Sequence, residues 1–308
     1  MTPDSSLASV QDSRGAAAGH PRASSGSRFA MYWTLYRLTL RQHLYGKRWL
    51  VMALLFLAPA GLAILIRTTA SEELPIVLEF LLAMMFIPQA LLPIVALLYA
   101  SGIVQDEQEE QTITYLLIRP IPKWAIYTVK LLATITTSVL LTVLFTALTY
   151  AAIYVGADAG GENVVLRCLK TASIHSLAVV SYCCLFGLIS LLTKKILVVG
   201  VVYTVVVEGL LANLPFGIRL ITVIYYTRLI AYRTLEFVID RPDRPQGGTE
   251  DMAASAWQFD LSRDPNLLEH PELSTCVTVL LVGSLVCTML AAWICAQREF
   301  HVKTPEKE

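Results

Sequence analysis

The amino-acid sequence predicts an all-α polytopic membrane protein with six transmembrane helices. Of its 308 residues, 55% are hydrophobic and only 16% are charged, whereas soluble domains carry about 25% charged residues. Several uninterrupted apolar runs reach the roughly 20 residues that a helix needs to cross hydrocarbon. The alternating ten-residue segments of a β-barrel are absent from the sequence. Helices therefore account for the spans.

The N-terminal region precedes the first span. Residues 1–27 are rich in Ser, Ala and Gly and lack the apolar core of a signal peptide, so they predict a disordered cytoplasmic tail. From Phe29 to Leu44, aromatic and aliphatic residues recur at helical spacing, with Arg37 and Arg41 between them. This pattern favours either a helix in the headgroup plane or a cytoplasmic extension of the first span.

A single membrane domain, residues 28–299, holds all six spans and is followed by a polar cytoplasmic tail, residues 300–308. Pro88 and Pro93 predict a bent or broken second span, because proline removes a backbone donor. The third span is longer than a bilayer requires, so it is tilted or projects into water. The predicted spans are about 49–66, 76–103, 124–155, 171–192, 196–214 and 276–296.

Two connections are long enough to need an interpretation of their own. Residues 156–170 are polar and contain glycine, which predicts a loop. The connection 215–275 begins with apolar and aromatic residues interrupted by arginines, typical of amphipathic or re-entrant helices at the interface, and its second part, 241–272, is predicted to be solvated. Cys168 and Cys276 lie near outer span ends and could form a disulfide, although unpaired thiols are favoured.

The distribution of Lys and Arg predicts the orientation, because short cytoplasmic loops carry the excess of positive charge. One side's short loops contain only Arg67, Arg167 and Lys170. Both termini, the 102–124 stretch and the Lys194–Lys195 turn therefore face the cytoplasm of a multi-pass cell (inner) membrane protein. The formal net charge is zero and gives no case for nucleic-acid binding. The cytoplasmic cations are Arg37, Arg41, Lys47, Arg48, Arg119, Lys123, Lys194, Lys195, Arg298, Lys303 and Lys307.

Polar residues inside the spans are functional candidates, because they are costly to bury in a membrane. Glu208, Glu79 and Gln89 form the possible intramembrane polar site. Glu208 lies deepest and either contacts a substrate or gate, or pairs with an outer arginine such as Arg219; the pairing is favoured. His175 and Gln89 suit interhelical hydrogen bonds better than ligand binding.

Enzyme and nucleotide motifs are absent from the sequence. It contains no GxxxxGK[ST], HExxH or GxSxG pattern. We therefore predict no catalytic residue, no metal site and no cofactor in this chain.

The stretch from Gly102 to Lys130 is the most informative polar interruption. Val104 to Leu117 can form a short helix, acidic at its start, where negative charge suits the helix dipole. Pro120 ends this helix and Pro122 starts the next one. Such an amphipathic helix could dock into a groove on a cytosolic partner, and the alternative is a solvated loop.

These residues resemble the signature between the second and third spans of ABC-2 type exporter permeases. The motif comprises an acidic run, Thr112, the Leu116–Leu117 pair, Arg119-Pro120-Ile121 and Lys130; Gln111 stands where glycine is usual, and Pro122–Lys123 where Ser–Arg is common. An interfacial helix before the first span, six spans and re-entrant elements between the last two extend the resemblance over Tyr32 to Glu299.

The resemblance implies that this chain is the membrane subunit of an ABC exporter. It would pair with a second permease subunit, identical or not, and rest a coupling helix on a separate ABC ATPase that holds ATP-Mg, all within membrane lipid. A non-transporting membrane anchor of an ATPase-driven extracytoplasmic assembly or maturation machine is the alternative, and an intramembrane enzyme is the third. The implied coupling residues are Asp106, Glu107, Glu109, Glu110, Thr112, Ile113, Leu116, Leu117, Arg119 and Pro120.

Overall fold

Six helices of the computed structural model are long and apolar enough to cross a membrane, which confirms the predicted number of spans. The structure describes residues 25–46, 48–69, 75–109, 122–156, 163–193, 195–214, 217–241, 248–257 and 271–297. Spans 1 to 6 are Trp49–Thr69, Pro75–Ile103, Lys123–Tyr154, Val164–Leu192, Ile196–Asn213 and Leu273–Gln297.

An N-terminal helix, Ser25–Tyr45, precedes span 1 and is separated from it at Gly46. Its buried face carries Leu35, Thr39 and His43. It packs on span 3, where His43 Nε2 lies 3.2 Å from Thr134 Oγ1. The opposite face exposes large apolar side chains, including Phe29, Trp33 and Leu44. The helix is therefore amphipathic, and its placement in the headgroup plane stays a prediction.

Span 2 is one continuous helix with a wide central part. It runs as an α-helix over Pro75–Leu78, a π-helix over Glu79–Leu91 and an α-helix over Leu92–Glu109. The predicted break at the prolines is therefore absent from this helix, because the wide π turns accommodate Pro88.

His175 of span 4 compensates for the donor that Pro88 lacks. In a π-helix the amide of residue 88 would donate to the carbonyl of Ala83, but proline has no N–H. The Ala83 carbonyl oxygen lies 2.9 Å from His175 Nε2 instead. His175 Nδ1 lies 3.0 Å from Thr146 Oγ1 on span 3. His175 thus acts as an interhelical hydrogen-bonding residue, as the sequence predicted, with Nε2–H as donor and Nδ1 as acceptor.

Spans 2 and 4 form the centre of the bundle. In their apolar stretches 61% and 67% of the residues are buried, against 28% in span 1 and 22% in spans 5 and 6. The main core includes Phe56, Leu92, Tyr99 and Phe186, all fully buried. The outer spans expose rows of Leu and Val side chains, as surfaces that face lipid do.

Contacts between distant parts of the chain identify the two ends of the bundle, which we call proximal and distal. At the proximal end the last turn of span 6 meets the first turn of span 3, with Cys295 Sγ 3.6 Å from the Lys123 carbonyl oxygen. At the distal end Arg67 of span 1 donates to the carbonyl of Val155, 2.6 Å away, just after span 3. Since the spans alternate in direction, the proximal end holds Ile103, Lys123, Leu192 and Ile196, and the distal end holds Thr69, Pro75, Tyr154 and Val164.

Span 4 begins earlier than the sequence predicted. The helix starts at Val164, within the stretch 156–170 that we interpreted as a loop. Its first turns carry Arg167, which is buried although charged. The prediction of a loop at 164–170 was wrong, because polar residues and glycine suggested a loop and the partner of Arg167 lies far away in sequence.

The connection between spans 5 and 6 returns into the bundle at the distal end. A short 3₁₀ turn, Gly217–Ile221, leads to a helix, Val223–Thr234, in which every residue from Ile224 to Ala231 is buried. This helix therefore packs among the spans, and we call it the re-entrant helix. Two antiparallel strands follow, β1 (Val238–Arg241) and β2 (Gly248–Asp251), with Val238 opposite Asp251. Among the described residues, these two strands form one small antiparallel pair beside the helices.

The start of the predicted solvated part, 241–272, is in fact partly packed. The helix Met252–Trp257 buries Ala253 and Trp257 in a second core cluster with Phe80 and Phe237. The Trp257 and Phe80 ring centroids are 5.2 Å apart. Residues 258–270 lie outside the described part of the chain.

Candidate functional site

Glu79, at the distal end of span 2, is fully buried and bound from two other spans. Tyr150 of span 3 donates its hydroxyl to Oε1 at 2.8 Å, and Tyr154 donates to Oε2. Arg167 of span 4 lies 3.1 Å through Nε from both carboxylate oxygens and 3.0 Å through Nη2 from Oε1. The two tyrosines are four residues apart and therefore lie on one face of span 3. This cluster ties spans 2, 3 and 4 together.

Arg167 also connects the Glu79 cluster to the connection between spans 5 and 6. Its Nη1 and Nη2 atoms donate to the Glu236 carbonyl oxygen at 3.3 Å, and its guanidinium lies 5.2 Å from the centroid of the Phe237 ring. A buried ion pair needs such additional hydrogen bonds to offset the desolvation of both charges. The arrangement is that of a structural joint at the distal end.

Glu208, in span 5, is also fully buried but is bound in another way. It lies in a second π-helix, Thr204–Leu210. Oε1 accepts hydrogen bonds from the Tyr203 hydroxyl at 3.0 Å and the Val223 amide at 3.1 Å. Oε2 accepts from the Tyr182 hydroxyl and the Ile224 amide, both at 2.9 Å. Among the described residues, the hydrogen-bond donors to Glu208 are thus tyrosines and amides rather than Arg219, whereas Arg228, another arginine of the same connection, interacts with Glu208 electrostatically.

The Glu208 carboxylate therefore caps the N-terminus of the re-entrant helix. Val223 and Ile224 are its first two residues, whose amides have no acceptor within the helix. A carboxylate at this position also interacts favourably with the positive end of the helix dipole.

The capped end lies deep in the bundle. Tyr182, which binds Glu208, follows Arg167 by 15 residues in the same helix, a rise of about 22 Å. The re-entrant helix has 12 residues and a length of about 18 Å. It therefore starts near the Tyr182 level and ends near the Arg167 level. There Lys170 Nζ donates to the carbonyl of Thr234, the last helical residue, at 3.1 Å.

Gln89 belongs to a third set of contacts, centred on Arg228 of the re-entrant helix. Arg228 Nη2 donates to Gln89 Oε1 and Nη1 donates to Asn213 Oδ1, each at 2.9 Å. Gln89 thus links span 2 to the re-entrant helix, as an interhelical hydrogen-bonding residue. The three predicted residues of the polar site thus have separate hydrogen-bond partners. Glu208 and Gln89 both bind the re-entrant helix. Glu79 is linked through Arg167 to the Glu236 carbonyl, just beyond the C-terminus of that helix.

The chemistry of these groups is that of binding rather than reaction. Both carboxylates have their oxygens occupied by protein donors, which leaves neither placed as a general base. Among the residues that the structure describes, no group of three or more His, Cys, Asp or Glu side chains could hold a metal ion. Cys168 and Cys276 are free thiols, so the disulfide alternative is not observed.

The predicted coupling segment is described only at its start. The helix of span 2 continues without a break through Asp106 and Glu107 to Glu109, so no separate helix begins at Val104. Residues Glu110 to Pro120, with the remaining predicted coupling residues, lie outside the described part of the chain.

Sequence reasoning missed the tyrosines and the arginine that bind the two carboxylates. Tyr150 and Tyr154 stand four residues apart near the end of span 3, a spacing that could have suggested a shared polar partner. Tyr182 and Arg167 offered no comparable signal, because only the packing of span 4 shows which carboxylate each one meets.

Comparison with known protein families bears directly on this arrangement. A family model described as "ABC-2 family transporter protein" matches residues 46–209, which covers spans 1 to 5 as far as Glu208. The chain belongs to the ABC-2 transporter family. No curated protein matches the chain. The ABC-2 protein is thus a multi-pass membrane component of a transporter, and transport components of this kind are not themselves the catalyst.

Proposed function

We propose that this ABC-2 protein is the permease subunit of an exporter in the cell (inner) membrane, coupled to ATP hydrolysis by a separate ABC ATPase. The observation that carries the proposal is the family match together with the acidic motif that follows span 2 at the proximal end. The exporter direction follows the resemblance of the 102–130 stretch to exporter permeases. The ATPase would hold ATP-Mg, and a second permease subunit, identical or not, would complete the membrane part.

The continuous helix of span 2 supports a coupling role for the acidic motif. It runs six residues beyond Ile103 to Glu109, which extends it by about 9 Å. A displacement of this extension would be transmitted along Leu92–Glu109, since an α-helix moves as a rigid element over this length. The residues from Asp106 to Pro120 named above are then the surface that would rest on the ATPase.

The distribution of charge supports a cytoplasmic proximal end and cytoplasmic termini. Lys123 and Lys195 lie at the proximal end, with Arg119, Lys194 and Arg298 close to it in sequence. At the distal end Arg167 is neutralised by Glu79, and Arg67 binds carbonyl groups at the end of span 3. In the sequence, the short distal connections hold only Arg67, Arg167 and Lys170, and the proximal ones hold more Lys and Arg, which agrees with the positive-inside rule.

Co-purification tests the coupling role. The E107K/E109K/E110K variant of the full-length permease is expressed with a candidate ABC ATPase subunit, and the ATPase retained on a tagged permease is measured. Reversing three charges should reduce the retained ATPase at least about tenfold, because mismatched charge across an interface disfavours association.

A matched control reverses three acids in distal connections, E72K/E73K/E272K. It should retain as much ATPase as the parent protein. Equal retention by both triple variants would contradict the coupling role of the acidic motif.

A further inference from the structure

The re-entrant helix is held at both of its ends by charges of the sign that its dipole favours. At the N-terminus the Glu208 carboxylate accepts from the Val223 and Ile224 amides. At the C-terminus Lys170 Nζ binds the Thr234 carbonyl, and Arg167 binds the Glu236 carbonyl just beyond. Negative charge stabilises the positive end of a helix and positive charge stabilises the negative end.

The two ends differ in how else they are attached. Beyond the C-terminus, Leu235 and Phe237 are buried in the second core cluster with Phe80 and Trp257. Before the N-terminus the chain passes through the 3₁₀ turn Gly217–Ile221, where Ile218 and Ile221 are exposed. The N-terminal end is packed as well, since Ile224 and Tyr225 are buried, and it carries the Glu208 contacts in addition.

We propose that Glu208 is the positioning residue that keeps the N-terminal end of the re-entrant helix seated inside the bundle, and that it does so through its negative charge. A neutral acceptor could also accept the two hydrogen bonds from the Val223 and Ile224 amides. A carboxylate offers four acceptor positions and a full charge, whereas the amide of glutamine has one oxygen and turns an N–H₂ group toward donors. Loss of the charge should therefore release this end first.

The packed re-entrant helix covers Cys276. The accessibility of this native thiol therefore reports whether the helix is in place. Cys276 is fully buried and belongs to the same core cluster as Tyr226 and Leu229 of the re-entrant helix. Because it lies in the first turn of span 6, at the distal end, an unseated helix would expose it to a water-soluble reagent.

The experiment measures the labelling rate of Cys276 by a membrane-impermeant maleimide. The full-length permease, with its other five cysteines replaced by serine, is placed in lipid nanodiscs. E208Q should label about tenfold faster or more, the change expected when a charge-assisted hydrogen bond is lost. E208D, which keeps the charge, should label closer to the parent rate than E208Q.

Two controls separate charge from other effects. E272Q neutralises an exposed acid next to span 6 and should label at the parent rate. Y182F/Y203F removes the hydroxyl donors but keeps the charge on the two amides, so it should label more slowly than E208Q. Equal rates in E208Q and E272Q would overturn the proposal, as would equal rates in E208D and E208Q.

Amide hydrogen exchange on the same samples distinguishes local release from general unfolding. Peptides from 223–234 should lose protection in E208Q while peptides from spans 2 and 4 keep theirs. Loss of protection across all of these spans would overturn the positioning role. The importance of the Glu208 contact for transport rests on the proposed function, but the labelling result does not. Failure of the co-purification test would not contradict the positioning role of Glu208, and failure of the labelling test would not contradict the coupling role of the acidic motif.

Discussion

Glu79 and Glu208 are two buried carboxylates that the same fold satisfies in different ways. Each is fully buried, lies in a π-helical segment and accepts hydrogen bonds from two tyrosine hydroxyls. The remaining donors differ: Glu79 binds the Arg167 guanidinium, whereas Glu208 binds two backbone amides.

The difference shows what each carboxylate depends on. The Glu79–Arg167 pair joins two spans through side chains that are each buried, so removal of one partner leaves the other as an uncompensated charge. Glu208 binds the positive end of a helix, equivalent to about half an elementary charge, and the Arg228 guanidinium acts on it electrostatically. We therefore expect changes at Glu79 to affect the stability of the whole bundle, and changes at Glu208 to act mainly on the re-entrant helix.

Substitution of Arg167 by methionine should have the largest effect. R167M leaves the Glu79 carboxylate buried beside two tyrosines without its cation, and the free energy of unfolding should fall by about 3–5 kcal/mol. Reversible unfolding in mixed detergent micelles measures the change. The double variant E79L/R167M should recover much of the loss, because both charges are then absent; a double variant as unstable as the sum of the two single ones would contradict this interpretation.

Neutralisation of the two carboxylates tests the comparison directly. E79Q should lower the free energy of unfolding by about 3 kcal/mol, since Arg167 is left buried and charged. E208Q should lower it by about 1.5 kcal/mol, the value of a charge-assisted hydrogen bond, because no cation is stranded among its hydrogen-bond partners. The same unfolding assay applies to both variants, and equal losses would remove the distinction between them.

The two π-helical segments should also respond differently to loss of a side-chain partner. The segment with Glu79 contains Pro88, and His175 supplies the donor that the Ala83 carbonyl lacks. H175L should cost about 1–3 kcal/mol, because a buried carbonyl loses its partner. In the P88A background, adding H175L should lower the free energy of unfolding by less than it does in the parent protein. Alanine at position 88 restores an N–H that can donate to the Ala83 carbonyl.

The second π-helical segment, Thr204–Leu210, provides a control for the comparison of H175L with and without P88A. The Thr204 hydroxyl donates to the Gly200 carbonyl within its own helix, so T204V should change the free energy of unfolding by less than about 1 kcal/mol. An effect of T204V as large as that of H175L would show that the proline is not the cause.

Single hydroxyl deletions should have the smallest effects. Y150F and Y182F each remove one donor to a carboxylate that keeps other donors, so each should cost about 1 kcal/mol. Y150F should cost the more of the two, because the Tyr150 oxygen also lies within hydrogen-bond distance of Thr171 Oγ1. Thermal unfolding of the two variants beside the parent protein measures this difference.

The sequence by itself determined the number of spans and their approximate positions. Apolar runs of the right length suffice for that, because lipid requires every backbone group of a span to be satisfied within a helix. It also pointed to Glu79, Glu208 and Gln89 as unusual groups, since polar residues in apolar runs are conspicuous, and to the family through residues 102–130.

Only the tertiary structure decided what those groups bind. The partner of Glu79 is 88 residues away, at a position that the sequence assigned to a loop, and the amides bound by Glu208 belong to a helix that returns into the bundle. Charge and hydropathy report how costly a residue is to bury, but they do not report the partner that offsets this cost. That partner is fixed by the packing of spans 2, 4 and 5 against the re-entrant helix.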